Sequence, residues 1–226
     1  MHMTDHEGVL RVAREQIAHE AAGMAALQDE LDDSTVTATR LLLGCRGKVF
    51  VSGSGTSGTI ARRMAHIFAV TGTPAIFLPP MDALHGTLGV VTEGDIVIAI
   101  SKGGGSDEIN ELVIRAQDRG AGVIALTVTP DTPMTNRADL TIVAGGAPDL
   151  DLGGMIAMGS TLVHSAWGDA VATVLMQARG YSWGAVHHTH PGGAVGARTA
   201  LPDALPPLDL QPLSLEELRS GTWGHR

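Results

Sequence analysis

The stretch from Val49 to Gly58, which reads VFVSGSGTSG, constrains the fold of this chain more than any other. A short apolar run enters a loop of glycines and hydroxyls, and a helical pattern begins at Ser57. Strand, tight loop and helix start form an anion site, because unpaired amide N–H groups and the positive end of the helix dipole converge there. Gly53, Gly55 and Gly58 also match the G-x-G-x-x-G dinucleotide pattern. The loop therefore predicts either a dinucleotide or a sugar phosphate as its ligand.

Short apolar strands alternate with helical segments from Gly47 onward. Helices are predicted after the first and third strands, and a shorter helical piece after the second. Repeated strand–helix units indicate a parallel sheet with right-handed crossovers and helices on both faces. In such a sheet the functional site lies at the carboxyl ends of the strands. The five predicted strands are 49–52, 75–78, 95–101, 122–127 and 140–143.

The rest of the chain flanks this α/β unit, which we place at residues 47–200. Residues 1–46 are predicted to form helices that pack on the core or on a partner subunit. A break is expected near Asp32 to Ser34, with Ser34 as the cap of a second helix that runs to Leu43. A long apolar helix is predicted from Met155 to Gly180, followed by an irregular segment from Tyr181 to Gly196. Residues 201–226 form a proline-rich tail, in which Ser214 and Glu217 predict a capping box and one short helix.

Charge and cysteine content restrict the partners. The formal net charge is −9 and we find no basic patch, so neither nucleic acid nor an anionic membrane is an expected partner. Cys45 is the only cysteine, which excludes an intrachain disulfide and a cysteine-based zinc site. No apolar run reaches membrane-spanning length, and the first residues lack a secretory pattern. We therefore predict a cytoplasmic protein.

A second glycine loop, ISKGGGSDE at Ile100 to Glu108, decides between the two ligands. Ser101 and Ser106 bracket three glycines at the end of the central strand, and serine hydroxyls and glycine amides are the short donors that a phosphate needs. A dinucleotide site also needs an acidic residue at the end of the second strand. That strand ends in Leu78-Pro79-Pro80, so the sequence favours a sugar phosphate.

The segments VSGSGTSG, HGTLG, ISKGGGSDE, the late GD and HPGGAVG occur in the order and spacing of the sugar isomerase (SIS) domains. The chain resembles this family from about Gly47 to Arg198, and it is most similar to the arabinose-5-phosphate isomerase group. The resemblance implies a flavodoxin-like three-layer α-β-α sandwich and a homodimer or homotetramer with shared sites. It also implies aldose–ketose isomerisation of a sugar phosphate through an enediol, without a cofactor. We do not expect the nucleotide-sensing CBS modules that often follow this domain.

The resemblance also implies the site residues. The second loop is the family's phosphate loop, and the first loop lies near the sugar. The late histidine can come from a neighbouring subunit. The implied phosphate and sugar ligands are Ser54, Gly55, Thr56, Ser57, Ser101, Lys102, Gly103 and Ser106, and the implied catalytic residues are Glu108, Asp149, His85 and His190.

Four positions depart from the family pattern. Thr56 stands where the family carries a lysine, which removes a cation that could polarise the substrate. Gly103 and Gly105 stand where the family usually has Ser and Glu, and Asp149 replaces a Glu. Lys102 is a candidate to replace the missing cation. We expect these changes to affect the choice of sugar more than the type of reaction.

Several alternatives remain open at this level. His187, His188 and His190, with His85 and His164, could bind a divalent metal. We favour a catalytic histidine with polar neighbours and predict no metal. Arg62 and Arg63 could meet the phosphate, but surface or interface roles are favoured.

The predicted activity also has competitors. A non-catalytic phosphosugar-binding or sensing module is the main alternative to an isomerase, and a structural oligomer with a vestigial pocket is the third possibility. The acidic surface and the missing helix-turn-helix segment argue against the DNA-bound regulators that use the same domain.

Overall fold

The computed structural model describes residues 6–147 and 149–221. Its strands form a single all-parallel sheet in the order β2-β1-β3-β4-β5. The predicted five-stranded parallel sheet is thereby confirmed. The strands are β1 (Val49–Gly53), β2 (Ala75–Phe77), β3 (Ile96–Ile100), β4 (Gly122–Thr127) and β5 (Leu140–Val143).

Helices cover both faces of the sheet and complete the predicted three-layer sandwich. A short 3₁₀ turn at Thr87–Val90 follows the fourth helix. No helix in the described parts of the chain is long and apolar enough to cross a membrane. The helices are α1 (His6–Glu30), α2 (Asp33–Gly44), α3 (Gly55–Val70), α4 (Pro80–Leu84), α5 (Asp107–Asp118), α6 (Gly159–Ala178), α7 (Trp183–Thr189), α8 (Gly193–Gly196) and α9 (Leu215–Ser220).

The central strands β1, β3 and β4 are mostly apolar because they are buried along their whole length, whereas the edge strands β2 and β5 are partly exposed. Successive side chains point to opposite faces. Val49 and Val51 therefore join the core that contains Trp167 of α6, whereas Phe50 joins the core beneath α4 and α5. Trp167 is fully buried. Two hydrophobic cores, one on each face, hold the sheet between its helices.

The strand order creates a switch point between β1 and β3. From β1 the chain goes first to β2 on one side and then to β3 on the other, so the two crossovers diverge. In open parallel sheets a ligand crevice forms outside the carboxyl ends of the strands at such a point. Gly53 pairs in register with Ile100, so the two glycine loops start side by side at this crevice.

Two helical boundaries differ from the prediction. The interruption after α1 is present, but Asp32 rather than Ser34 caps α2, because its carboxylate accepts the Ser34 N–H at 2.9 Å. The long helix α6 begins at Gly159 and not at Met155. Asp151 fixes this start, since its carboxylate accepts the backbone N–H of Met158 and of Ser160, each at 2.9 Å.

The segment predicted to be irregular contains α7 and α8. Ser182 caps α7 by accepting the Ala185 N–H at 3.2 Å, a signal that the sequence carried and that we did not use. Further along, the predicted Ser214–Glu217 capping box is present and opens α9. Arg219 of α9 pairs with Asp139 at 2.8 Å.

The C-terminal tail runs back to the amino-terminal edge of the sheet. The Leu213 N–H donates to the Arg40 carbonyl at 3.0 Å, and the Leu213 side chain is buried. The Arg219 guanidinium also donates to the Ala121 carbonyl, just before β4. The tail therefore braces the edge opposite to the glycine loops.

Candidate functional site

The first loop is a tight joint between β1 and α3. The Gly58 N–H donates to the Ser54 carbonyl at 3.1 Å, and a Cβ on Gly58 would stand only 2.7 Å from the Gly53 oxygen. Gly55 begins α3 with φ 55°, a left-handed conformation that favours glycine. The glycines that match the dinucleotide pattern are thus explained by backbone geometry alone.

The second loop, residues 101–106, is held in place by hydrogen bonds from the end of β4 and from α5. The Lys102 carbonyl accepts the Val128 N–H at 3.1 Å and the Thr127 hydroxyl at 2.9 Å. The Gly104 carbonyl accepts the Asn110 amide at 3.2 Å. Because these carbonyls are bonded inside the protein, N–H and hydroxyl groups are what the loop offers a ligand. A Cβ added to Gly103 would meet nothing within 4 Å, so the front of the loop is open.

Two serines close the ends of the second loop. The Ser101 and Ser106 hydroxyl oxygens lie 3.4 Å apart, close enough to reach the same phosphate group. Ser106 is the N-cap residue of α5, but its side chain makes no capping bond to the helix. The hydroxyls and the positive end of α5 therefore converge on one point in front of the loop.

A side-chain hydrogen bond links the first loop to the first turn of α5, just after the second loop. The Ser54 hydroxyl donates to the Glu108 carboxylate, and this bond lowers the pKa of Glu108, because it stabilises the charged form. Glu108 lies in the first turn of α5 and is half-buried. It is therefore ionised at neutral pH and can accept a proton, although the lowered pKa makes it a weaker base than an ordinary glutamate.

A cleft of about 510 Å³ opens beside the first loop, a volume in the range of small-ligand sites. Ser54, Gly55 and Arg62 line it together with Phe77, and the Arg62 guanidinium lies 4.7 Å from the centre of the Phe77 ring. Arg63 turns away from the cleft and pairs with Asp169 of α6 at 2.8 Å. Of the two arginines, only Arg62 thus lines the cleft.

A third segment, residues 149–154, reaches the second loop from the end of β5. The Lys102 ammonium lies 2.6 Å from the buried Asp151 carboxylate and 3.0 Å from the Gly154 carbonyl. Asp149 is exposed, with φ 58°. It lines a cavity of about 290 Å³ with Glu15 and other residues of α1. The sequence analysis did not single out Asp151. The only local pattern around it is an acidic residue that precedes Gly153, Gly154 and a predicted helix.

The two predicted catalytic histidines lie apart from each other. His85 is exposed at the C-terminus of α4, which packs against α5. His190 is held within its own segment, where its Nδ1–H donates to the Val186 carbonyl at 2.7 Å. Between the third segment and His190, α6 crosses the molecule and ends where Tyr181 packs on Gly72, at the amino-terminal edge. The segment that carries His190 therefore starts at the edge of the sheet opposite to the glycine loops.

His164 is fully buried in α6, with Nε2 3.1 Å from the Ala144 carbonyl. Burial lowers the pKa of His164 to about 4, so the ring is neutral at physiological pH. Within residues 6–147 and 149–221, no three His, Cys, Asp or Glu side chains are grouped so that they could hold a metal ion. The metal cluster considered from the sequence is not assembled in a single chain.

Known proteins resemble this chain in sequence and in fold. Residues 42–167 match the SIS domain. The arabinose 5-phosphate isomerase GutQ of Escherichia coli K12 is 36% identical over 196 residues, which cover 85% of this chain and 60% of that protein. The chain thus spans less than two thirds of the length of the curated relatives that it matches first.

Two solved structures have the same architecture. A Listeria monocytogenes protein described as a putative sugar-phosphate isomerase is 33% identical with a TM-score of 0.81, covering 84% of this chain and 100% of its own. An Escherichia coli CFT073 protein in complex with a sugar phosphate is 28% identical with a TM-score of 0.79, covering 83% and 100%. The matched domain contains both glycine loops and the strands that position them, and the chain therefore belongs to the SIS domain family.

Proposed function

We propose that the chain is a sugar-phosphate aldose–ketose isomerase. The observation that carries this proposal is the pair of serine and glycine loops at the β1–β3 switch point, joined by the Ser54–Glu108 hydrogen bond. Arabinose 5-phosphate is the first substrate to test, because the GutQ relative is named for it. We take residues 47–200 as the phosphosugar-binding domain, with helices and tail as flanking parts.

The phosphate is held in this proposal by the second loop. The Ser101 and Ser106 hydroxyls, the main chain from Lys102 to Gly103 and the N-terminus of α5 supply its donors. The first loop supplies short donors for the sugar hydroxyls from Ser54, Gly55, Thr56 and Ser57. Neutral donors suit this role, since several N–H and O–H groups stabilise an oxyanion without a metal ion.

The reaction needs a proton moved between adjacent carbons. A base removes the proton from the carbon beside the carbonyl, which gives an enediol, and the proton is returned to the neighbouring carbon. We assign the base to Glu108, which is ionised and accepts a hydrogen bond from Ser54 of the first loop. His85, His190 and Asp149 are the candidates to move the hydroxyl proton and to stabilise the oxyanion of the intermediate.

A shared site follows from the position of His190. Since the segment of His190 starts at the edge of the sheet opposite to the loops, we propose that a second copy supplies this histidine in a cytoplasmic homodimer or homotetramer. Apolar side chains exposed on α1 and beside the third segment support such an assembly, because large exposed apolar patches mark interaction surfaces. They include Val9, Val12, Ile17, Leu152, Met155 and Ile156.

A panel of four- to six-carbon aldose and ketose phosphates tests the activity directly. We expect at least one aldose–ketose pair to interconvert, and chromatography or NMR would measure the conversion. Glu108→Gln should lower kcat by about 10²–10⁴-fold, the range for loss of a general base. The matched control is Glu111→Gln in the same helix, whose carboxylate pairs with Arg115 and which should retain wild-type kcat. Equal rates for the two variants would remove Glu108 from the mechanism.

A non-catalytic phosphosugar-binding module is the second candidate. Thr56 favours it, because a threonine cannot polarise a carbonyl as the family's lysine would. In that case sugar phosphates should raise the melting temperature of the protein without being converted. A ligand screen by thermal shift, run beside the turnover assay, distinguishes the two functions. If neither signal appears with any sugar phosphate, both functions are rejected.

A further inference from the structure

Lys102 is one of only two lysines in the chain, and it stands inside the second loop. Its ammonium lies 2.6 Å from Asp151 Oδ2 and 3.0 Å from the Gly154 carbonyl oxygen. The Lys102 side chain is 31% exposed and that of Asp151 is 5% exposed. The charge of Lys102 is thus compensated by a buried carboxylate before any ligand arrives.

Asp151 is also committed to α6. Its Oδ1 accepts the backbone N–H of Met158 and of Ser160, and its Oδ2 accepts the Ser160 hydroxyl at 2.7 Å. Burial would raise the pKa of Asp151, but the hydrogen bonds from Lys102 and Ser160 and the Lys102 charge outweigh it and lower the pKa. A buried carboxylate that has lost one of its partners is costly. A phosphate that bound the Lys102 ammonium would have to break this ion pair, and the cost of doing so would weaken its binding.

The third segment also has packing and hydrogen-bond contacts on its other sides. Leu150 is buried and packs on Gly23 of α1 and on Gly159 of α6. Upstream, the Gly145 N–H donates to the Glu30 carboxylate at 3.0 Å. Lys102 adds a polar link from the second loop to this segment, two residues beyond Asp149. The ammonium therefore couples the phosphate loop to the position of a candidate catalytic carboxylate.

We propose that Lys102 is a positioning residue, which acts through Asp151 to hold the third segment, with Asp149, against the second loop and does not itself bind the phosphate. This inference rests on the proposed isomerase function. It assigns Lys102 a role other than replacing the cation that Thr56 removes. The loop then binds phosphate with hydroxyl groups, amides and a helix terminus, and the lysine fixes the geometry between the loop and the third segment.

The test compares three variants on the sugar phosphate that the wild-type protein converts. Lys102→Met should lower kcat by about tenfold or more, because even a small displacement of a reacting group slows the chemical step. The dissociation constant of inorganic phosphate, measured by calorimetry, should change less than about threefold. Lys102→Arg keeps the charge and should recover most of the lost kcat. Lys48→Met, an exposed lysine at the opposite edge of the sheet, should match the wild type.

Hydrogen exchange of the amides in 149–156 gives a readout that does not depend on turnover. We expect faster exchange there in Lys102→Met than in Lys102→Arg, with the sheet unchanged in both, which also shows that the variants fold. Weakening of phosphate binding by tenfold or more, or unchanged kcat and exchange in Lys102→Met, would overturn the positioning role. Failure of the wild type to convert any sugar phosphate would instead reject the proposed function on which that role depends.

Discussion

One hydroxyl group changes how the residue that we propose as the base titrates. Ser54 donates to Glu108 and lowers its pKa. Ser54→Ala removes the donor, so the pKa of Glu108 should rise and the acid limb of kcat/KM should move to higher pH. Carboxyl NMR titration of the variant measures the same shift without turnover. Ser182→Ala, which removes a cap far from the site, should leave the Glu108 titration unchanged. An identical titration in wild type and Ser54→Ala would contradict the assigned bond.

A buried histidine should make stability depend on pH. The pKa of His164 is about 4 in the folded chain, below the ordinary value of 6.5, so the unfolded chain binds more protons between these values. Stability is therefore lost as pH falls from about 6.5 to about 4, by a total on the order of 3 kcal/mol.

His164→Gln tests this contribution, because glutamine keeps an N–H that can donate to Ala144 but does not titrate. Urea unfolding at about pH 4.5 and about pH 7 should show a smaller loss in this variant than in the wild type. His188→Gln alters an exposed histidine and should behave like the wild type. Equal losses in His164→Gln and wild type would assign the acid sensitivity to other groups. The carboxylates with lowered pKa, Asp32 and Asp151 among them, act at still lower pH.

The joint between β1 and α3 depends on close backbone approach. A Cβ at Gly58 would stand 2.7 Å from the Gly53 oxygen, and neither backbone can move without disturbing the strand or the helix. Gly58→Ala should therefore destabilise the fold by about 1–3 kcal/mol, the range for overpacking. Gly184 of α7 is the matched control, since its added Cβ would meet only the Ser182 hydroxyl at 3.6 Å.

Denaturant unfolding of both glycine variants decides the point. Gly184→Ala should be neutral or slightly stabilising, because alanine has the higher helix propensity. A Gly58→Ala protein as stable as the wild type would mean that the joint relaxes around the methyl group.

At the scale of elements, the sequence pattern predicted the strands and most helices. The starts of α2 and α6 were instead set by carboxylate contacts, which the periodicity of apolar residues does not encode.

The assembled molecule decides whether the site is complete. We propose that a second copy supplies His190 to each site. The Glu108→Gln variant then lacks the base but keeps the histidine, and the His190→Ala variant lacks the histidine but keeps the base, so each should be inactive alone. Mixed oligomers, formed by unfolding and refolding the two variants together, should recover activity up to about a quarter of the wild-type rate, as random pairing in a symmetric oligomer predicts. Light scattering should show a dimer or tetramer. Recovery would be absent if each chain used its own histidine.

The sequence by itself determined the strands, the parallel sheet and the two loops at strand ends. These features follow from short-range patterns: apolar runs buried on both faces, and glycine and serine at turns. The family motifs in those loops also named Glu108, which the structure joins to Ser54.

Only the tertiary structure decided which of these parts meet. The order β2-β1-β3-β4-β5 and the register of Gly53 with Ile100 bring the two loops to one crevice. The same packing pairs the Lys102 charge with Asp151 and places Tyr181, at the start of the segment that carries His190, against Gly72 at the amino-terminal edge. Such contacts join residues that are distant in the chain, and they depend on strand order and side-chain burial, which no local pattern encodes.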